Sequence, residues 1–295
     1  MPATAVALVL VAALLHAGWN IVAKRTGGGA HFVLIGAAMI VVLWAPLGLF
    51  LAWKELPRWG RLEWAALLAS AVAHLVYFNV LLAGYRASDL TVVYPVARGS
   101  GPLLASVGAV IVLGERLSAL GVFGVLAVTA GVWLIAGGPR LLLPVGTVDV
   151  AQRRRIRSGI AWGSATGALI ALYTVIDGWA VKMLAISPIL LDYFGNALRI
   201  PLMLPAALAD RGGFVRDWHA QWRAALLLAA VSPFAYVLVL YAVTMAPLSH
   251  VAPAREVSML FAALIGGRLL GEADRGLRLA GAAAIVAGVV ALAWN

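Results

Sequence analysis

The 295-residue chain contains no cysteine, which excludes disulfides and thiolate metal sites and leaves the redox compartment unread. Charge is scarce: Asp, Glu, Lys and Arg make up 12% of the residues, against roughly 25% in soluble domains. Acid is scarcer still, with 12 Asp and Glu to 22 Lys and Arg. No GxxxxGK[ST], HExxH or GxSxG motif occurs, so there is no nucleotide cradle, zinc-protease helix or nucleophile elbow. ATP is not the expected power source, and no cofactor or metal is expected. Period-two alternation is missing as well, which argues against a β-barrel.

Apolar side chains take the space instead, at 63% of the chain and a mean hydropathy of +0.98. Runs of about 20 residues pass with hardly a charge, enough for a helix to cross a ~30 Å hydrocarbon core. Ten such segments are expected, at 3–23, 31–53, 63–85, 89–113, 117–137, 158–181, 186–208, 221–245, 249–270 and 276–294. Short connections rich in Gly and Pro separate them. The first segment has no basic stretch before it and no small-residue cleavage pattern after it, so it reads as a retained span and not a signal peptide. The expected fold class is an all-α, multi-pass membrane protein, with the lipid bilayer as its surroundings.

The net charge of +10 does not point to nucleic acid, because the arginines lie between the apolar segments. Fourteen Lys and Arg fall in connections on one side, that of the first loop, and five on the other. The positive-inside rule then places both termini outside the cytoplasm.

The chain also repeats itself. Ala97-Arg98, Gly114-Glu115, Gly124 and Gly131 recur 157 positions on as Ala254-Arg255, Gly271-Glu272, Gly281 and Gly288. Tyr77-x-x-Val80-Leu81-x-Ala83 returns as Tyr236-x-x-Val239-Leu240-x-Ala242. Two five-helix repeats are expected, 1–138 and 158–295, joined by a basic linker at 139–157 that carries Arg153-Arg154-Arg155. With an odd number of spans each, the copies must lie in opposite orientations: an inverted 5+5 repeat, the usual ground plan of a secondary transporter. Such a duplication supplies both halves, so a monomer is the expected unit.

These residues resemble the EamA-type branch of the drug/metabolite transporter superfamily over essentially the whole chain. The resemblance rests on Leu113-Gly114-Glu115-Arg116-Leu117, on Leu270-Gly271-Glu272, on the glycine-spaced fifth and tenth helices, and on His16-Ala17-Gly18-Trp19-Asn20 with Lys24. It implies an exporter of amino acids or other small metabolites in a bacterial inner membrane. It also implies cytoplasmic termini, against the arginine count. Small multidrug exporters of the superfamily trade protons through a glutamate in the first helix, where this chain has His16 and Asn20 and no carboxylate.

Arg98 and Arg255 lead the candidate site residues. Each lies about 10 Å inside its helix, where a charge must face a cavity or a partner. As repeat mates they flank the pseudo-two-fold axis, and a guanidinium suits a substrate carboxylate or phosphate. The bland alternatives are a structural ion pair, such as Arg255 with Asp177, or snorkelling. Pro95 and Pro253, just ahead of the two arginines, are candidate hinges.

Polar and aromatic residues at helical spacing are further candidates for a substrate wall: His16, Trp19 and Asn20 on the first helix, His74 and Tyr77 on the third, Tyr94 on the fourth, and Trp162 and Tyr173 on the sixth. Asp177 and Glu256 are candidate proton carriers. Asp192 and Arg199, two turns apart on the seventh helix, are expected to pair. Glu115 and Glu272 are expected to cap the helices that follow them. The expected function is export of small zwitterionic or anionic metabolites, amino acids first and aromatic ones slightly favoured. Phosphorylated or phosphonate solutes are the alternative within transport. A membrane-embedded enzyme or a receptor without flux is the alternative outside it.

Overall fold

The computed structural model describes residues 1–25, 29–136, 138, 150–266 and 275–294, with the backbone alone at 19–25, 90–91, 151, 262–266 and 275. The described residues form α-helices joined by short turns: α1 (Ala3–Arg25), α2 (Ala30–Glu55), α3 (Arg61–Ala87), α4 (Leu90–Leu113), α5 (Ala119–Ile135), α6 (Val150–Met183), α7 (Pro188–Ala209), α8 (Arg211–Met245), α9 (Leu248–Ala254), α10 (Val257–Gly266) and α11 (Arg275–Trp294). A 3₁₀ turn, Leu56–Arg58, follows α2.

The protein is an all-helical membrane protein of ten spans in a 5+5 arrangement. Helices α2, α3, α4, α6, α8 and α11 each carry enough length and hydropathy to cross a bilayer; α5 is apolar but shorter. The ninth span is α9 and α10 together, interrupted at Arg255-Glu256. Two helices outrun the sequence expectation. α6 begins at Val150, inside the stretch read as linker, where the Arg155 guanidinium pairs with Asp89 at 3.1 Å and the Arg155 carbonyl accepts from Ser88 Oγ at 2.8 Å. α8 begins at Arg211, capped by Asp210 accepting from Gly213 N at 3.0 Å.

Opposite orientation of the repeats follows from one crossing. α5 and α11, equivalent helices of the two copies, pack face to face. A Cβ placed on Gly131 would stand 2.6 Å from the Gly281 carbonyl oxygen, and one on Gly124 would stand 2.9 Å from that of Gly288. Ascending α5 thus descends α11, so the two helices are antiparallel, and so are their repeats. The glycines let the backbones touch, the usual device where lipid leaves no hydrophobic gain from helix association.

The same symmetry organises the remaining contacts. α1 packs on α8 as α6 packs on α3, α4 packs on α6 as α10 packs on α1, and α2 packs on α8 as α7 packs on α3. Both chain ends meet at one face, where the Met1 ammonium donates to the Ala293 carbonyl at 2.8 Å. The repeat mates α4 and α9 also touch each other, so the axis relating the copies runs between them.

Gly131→Ala and Gly281→Ala should each destabilise the protein by about 1–3 kcal/mol, since the obstructing atoms are backbone and cannot turn aside. Gly18→Ala, at an exposed helical position with nothing within 4 Å, should be neutral or mildly stabilising. Thermal unfolding in detergent reads the contrast.

Candidate functional site

The break in the ninth span is built by local chemistry. Pro253 has no N–H for the Ser249 carbonyl one turn earlier, and Ser106 Oγ of α4 lies 3.0 Å from that oxygen and 2.9 Å from the Pro102 carbonyl, so the two share its one proton. Beyond the proline the chain tightens into i→i+3 bonds: Glu256 N to Pro253 O at 2.9 Å, Ser258 N to Arg255 O at 3.1 Å and Met259 N to Glu256 O at 2.8 Å. α4, by contrast, runs unbroken through Pro95 and Pro102. Among the described residues the helix is thus interrupted after Pro253 and continuous after Pro95.

At the break the two arginines meet over one carboxylate. Glu256, 1% exposed, has Oε2 3.1 Å from Arg98 Nη2 and Oε1 3.7 Å from Arg255 Nε. Arg98 Nη2 also donates to Ser258 Oγ at 3.2 Å, and its guanidinium stands 5.9 Å from the Tyr94 ring centre. The partner of Arg255 is thus Glu256, not Asp177. Arg98 Nε and Arg255 Nε make no hydrogen bond. Taken alone, two half-buried guanidiniums against one carboxylate carry one surplus positive charge. Arg98, Arg255, His16 and Ser258 line a cavity with about 10 Å³ open to the centre of a water molecule.

A second cluster stands beside it. His74 of α3 stacks on Tyr173 of α6 with ring centres 4.0 Å apart, and Tyr77 meets Tyr173 edge-on at 5.5 Å. His74 Nε2 lies 3.9 Å from Asp177 Oδ2, the same oxygen that accepts a short hydrogen bond from the Tyr236 hydroxyl. Asp177, Thr174, Tyr236 and Arg255 line a second cavity, also with about 10 Å³ open to a water centre. Arg255 and Val239 border both cavities. Each of these two spaces holds about one water, so a metabolite fits there only if their walls part.

Sequence-predicted residues thus sort into groups. Arg98, Arg255, His16, Tyr94 and Glu256 surround the break; His74, Tyr77, Tyr173 and Asp177 form the neighbouring cluster. Trp162 packs against Gly84 of α3 and lines neither cavity. The side chains of Trp19 and Asn20 lie outside the described residues, as do Gly271-Glu272. Ser258 and Tyr236 were missed as site residues, although Tyr236 is the repeat mate of Tyr77 and could have been found that way. Asp192 and Arg199 do not form the expected direct pair. Arg199 Nη1 donates to Asn196 Oδ1 at 3.4 Å, and Asn196 Nδ2 donates to the Asp192 carbonyl at 2.8 Å.

Glu115 caps a helix, but not the one that follows it. Gly114 ends α4 at φ 66°, a left-handed turn that suits glycine. Glu115 Oε1 then accepts from Leu248 N at 2.7 Å and from Lys182 Nζ at 3.0 Å, and Oε2 accepts from Ser249 N at 2.8 Å. The carboxylate thus holds the positive end of α9 across the repeat axis, while Ser118 caps α5 through Gly121 N at 3.1 Å. Expectation failed here because a loop carboxylate reaches whichever helix end the tertiary fold brings nearest.

The comparisons agree with this architecture. The model of the EamA-like transporter family matches residues 3–137 and 157–294, and the chain belongs to that family, within the drug/metabolite transporter superfamily. No curated relative matches. A solved structure described as "Crystal structure of protein" is similar at 16% identity and a TM-score of 0.69, over 99% of this chain and 96% of that one; it shows the fold alone. The protein is a multi-pass membrane transporter, of a family of transporters and not enzymes.

Burial alone would raise the Glu115 pKa, but the Ser249 and Leu248 amides and the Lys182 ammonium outweigh it and hold it below the ordinary carboxylate value. A depressed folded-state pKa contributes stability that is full above the unfolded value, about 4.3, and lost as pH falls through the folded one. Glu115→Gln should therefore cost about 1–3 kcal/mol at neutral pH. Its melting temperature should converge on that of the wild type as the medium is acidified below pH ~4.

Proposed function

We propose that the protein exports small zwitterionic metabolites, amino acids first among them, from the bacterial cytoplasm across the inner membrane, working as a monomer by alternating access. The observation that carries this reading is the pair of half-buried guanidiniums sharing Glu256 at a broken helix between the repeats. One uncompensated positive charge suits one carboxylate; a phosphate dianion would find half of the arginine charge already neutralised by Glu256.

Charge on the other side of the centre supports a zwitterion over a simple anion. Asp177 gives that side a carboxylate, within electrostatic reach of Asp192 and Arg199 of α7 and of Arg255. A positive and a negative end bordering on one residue, Arg255, match the ammonium and carboxylate of an amino acid. The stacked His74, Tyr173 and Tyr77 rings supply flat apolar surface beside that position, which favours aromatic side chains.

Small cavities on both sides of Arg255 fit a carrier whose walls part to admit substrate. The interruption at Arg255-Glu256 and the α5–α11 glycine crossing are places where the halves can rock without breaking a continuous helix.

Proteoliposomes loaded with labelled amino acids test the reading. Wild-type protein should give counterflow, and Arg255→Ala should reduce it about 10–100-fold through loss of charge-assisted bonds. Arg255→Lys should recover only part, because an ammonium lacks the guanidinium fork. Flux of phosphorylated solutes alone, or counterflow indifferent to Arg255, would overturn the proposal.

A further inference from the structure

Two described residues line both cavities, Arg255 and Val239. Arg255 is paired with Glu256 at 3.7 Å. Val239 of α8 is buried and its side chain is purely apolar, so it acts on a ligand through its shape alone. On α8 it shares a face with Tyr236, Leu240 and Val243, all of which border the second cavity; of these four it alone also borders the first. Its repeat mate, Val80, is half-buried and borders neither.

The two cavities differ in chemistry. The first takes its polar lining from Arg98, Arg255, His16 and Ser258, and its apolar lining from Val239 and two alanines of α1, Ala12 and Ala13. The second is walled mostly by hydrocarbon, from Val239, Leu240, Val243, Leu248, Val251 and Ala252. An amino acid with its carboxylate in the first cavity and its ammonium at Asp177 in the second holds its α-carbon between them. The side chain leaves from that same carbon, so its first atoms pass the wall that Val239 and Arg255 share, and the apolar surface that receives it lies along the second cavity. Valine suits a fixed wall: the two branches on Cβ leave it one strongly preferred rotamer in a helix, so it does not swing aside as a longer, unbranched side chain would.

Resting on the amino-acid reading above, we infer that Val239 is a specificity-determining residue of the carrier: it divides the carboxylate cavity from the side-chain cavity, and its bulk sets how large an amino-acid side chain is transported. The methyl group of alanine passes whatever apolar residue stands at 239. An aromatic side chain passes while that residue is no larger than valine, and a smaller residue joins the two cavities into one wider space.

Full-length protein in proteoliposomes would be assayed for counterflow of alanine, phenylalanine and tryptophan, and the half-saturating concentrations compared as ratios. Val239→Leu, and more strongly Val239→Phe, should weaken phenylalanine relative to alanine, by about tenfold or more in the second. Val239→Ala should improve tryptophan relative to alanine by about tenfold. Val237→Ala, at a buried α8 position that borders neither cavity, should leave every ratio at its wild-type value, which separates a general loosening of the helix from a change in the wall. Ratios unchanged in Val239→Leu and Val239→Ala, or moved equally by Val237→Ala, overturn the inference and leave the amino-acid reading standing. No counterflow of any of the three in the wild type overturns that reading, and the inference with it.

Discussion

The centre of this protein depends on one carboxylate. In a bilayer interior an isolated guanidinium is expensive and two are worse, yet each repeat contributes one at the same position. Glu256 makes that tolerable by standing between Arg98 and Arg255. Its repeat counterpart is Gly99, so neutralisation comes from one copy only. The duplication is thus symmetric in its scaffold and asymmetric in its chemistry. The unequal helices follow the same division: α4 is continuous, and its mate is two pieces with Arg255 at the joint.

Around that centre the scaffold is held by contacts that respect the axis. The glycine crossing of α5 and α11 fixes the antiparallel relation of the halves. Glu115 ties the end of α4 to the start of α9 and to Lys182 of α6. Both contacts join the repeats to each other, so the two halves behave as partners around a central site and not as separate domains. A central site between them fits a carrier that exposes it to one side at a time.

Much of this was legible in the residues. The repeat spacing, the apolar runs and the Gly-Glu corners were sufficient for ten spans in two copies, because span length and helix packing are local properties of the sequence. The depth of Arg98 and Arg255 marked them as central for the same reason. Their counter-ion was less accessible: Glu256 adjoins Arg255 in sequence, but that it also serves Arg98 depends on the helix breaking there. Side-chain reach accounts for the other differences. Glu115 could cap any nearby amide cluster, and Asp192 and Arg199 share a helix face yet are separated by Asn196. Tyr236 needed the repeat to be read across both copies at once.

The central claim is that the positive excess at the break binds a substrate carboxylate, and a single binding comparison addresses it. Purified protein would be titrated calorimetrically with phenylalanine and with phenylalanine amide, which keeps the ammonium and ring but lacks the negative charge. Binding of the free acid at least about tenfold tighter than the amide is the predicted result, given the strength of charge-assisted hydrogen bonds. Equal affinities, or tighter binding of the amide, would contradict the account and leave the two arginines as structural partners of Glu256.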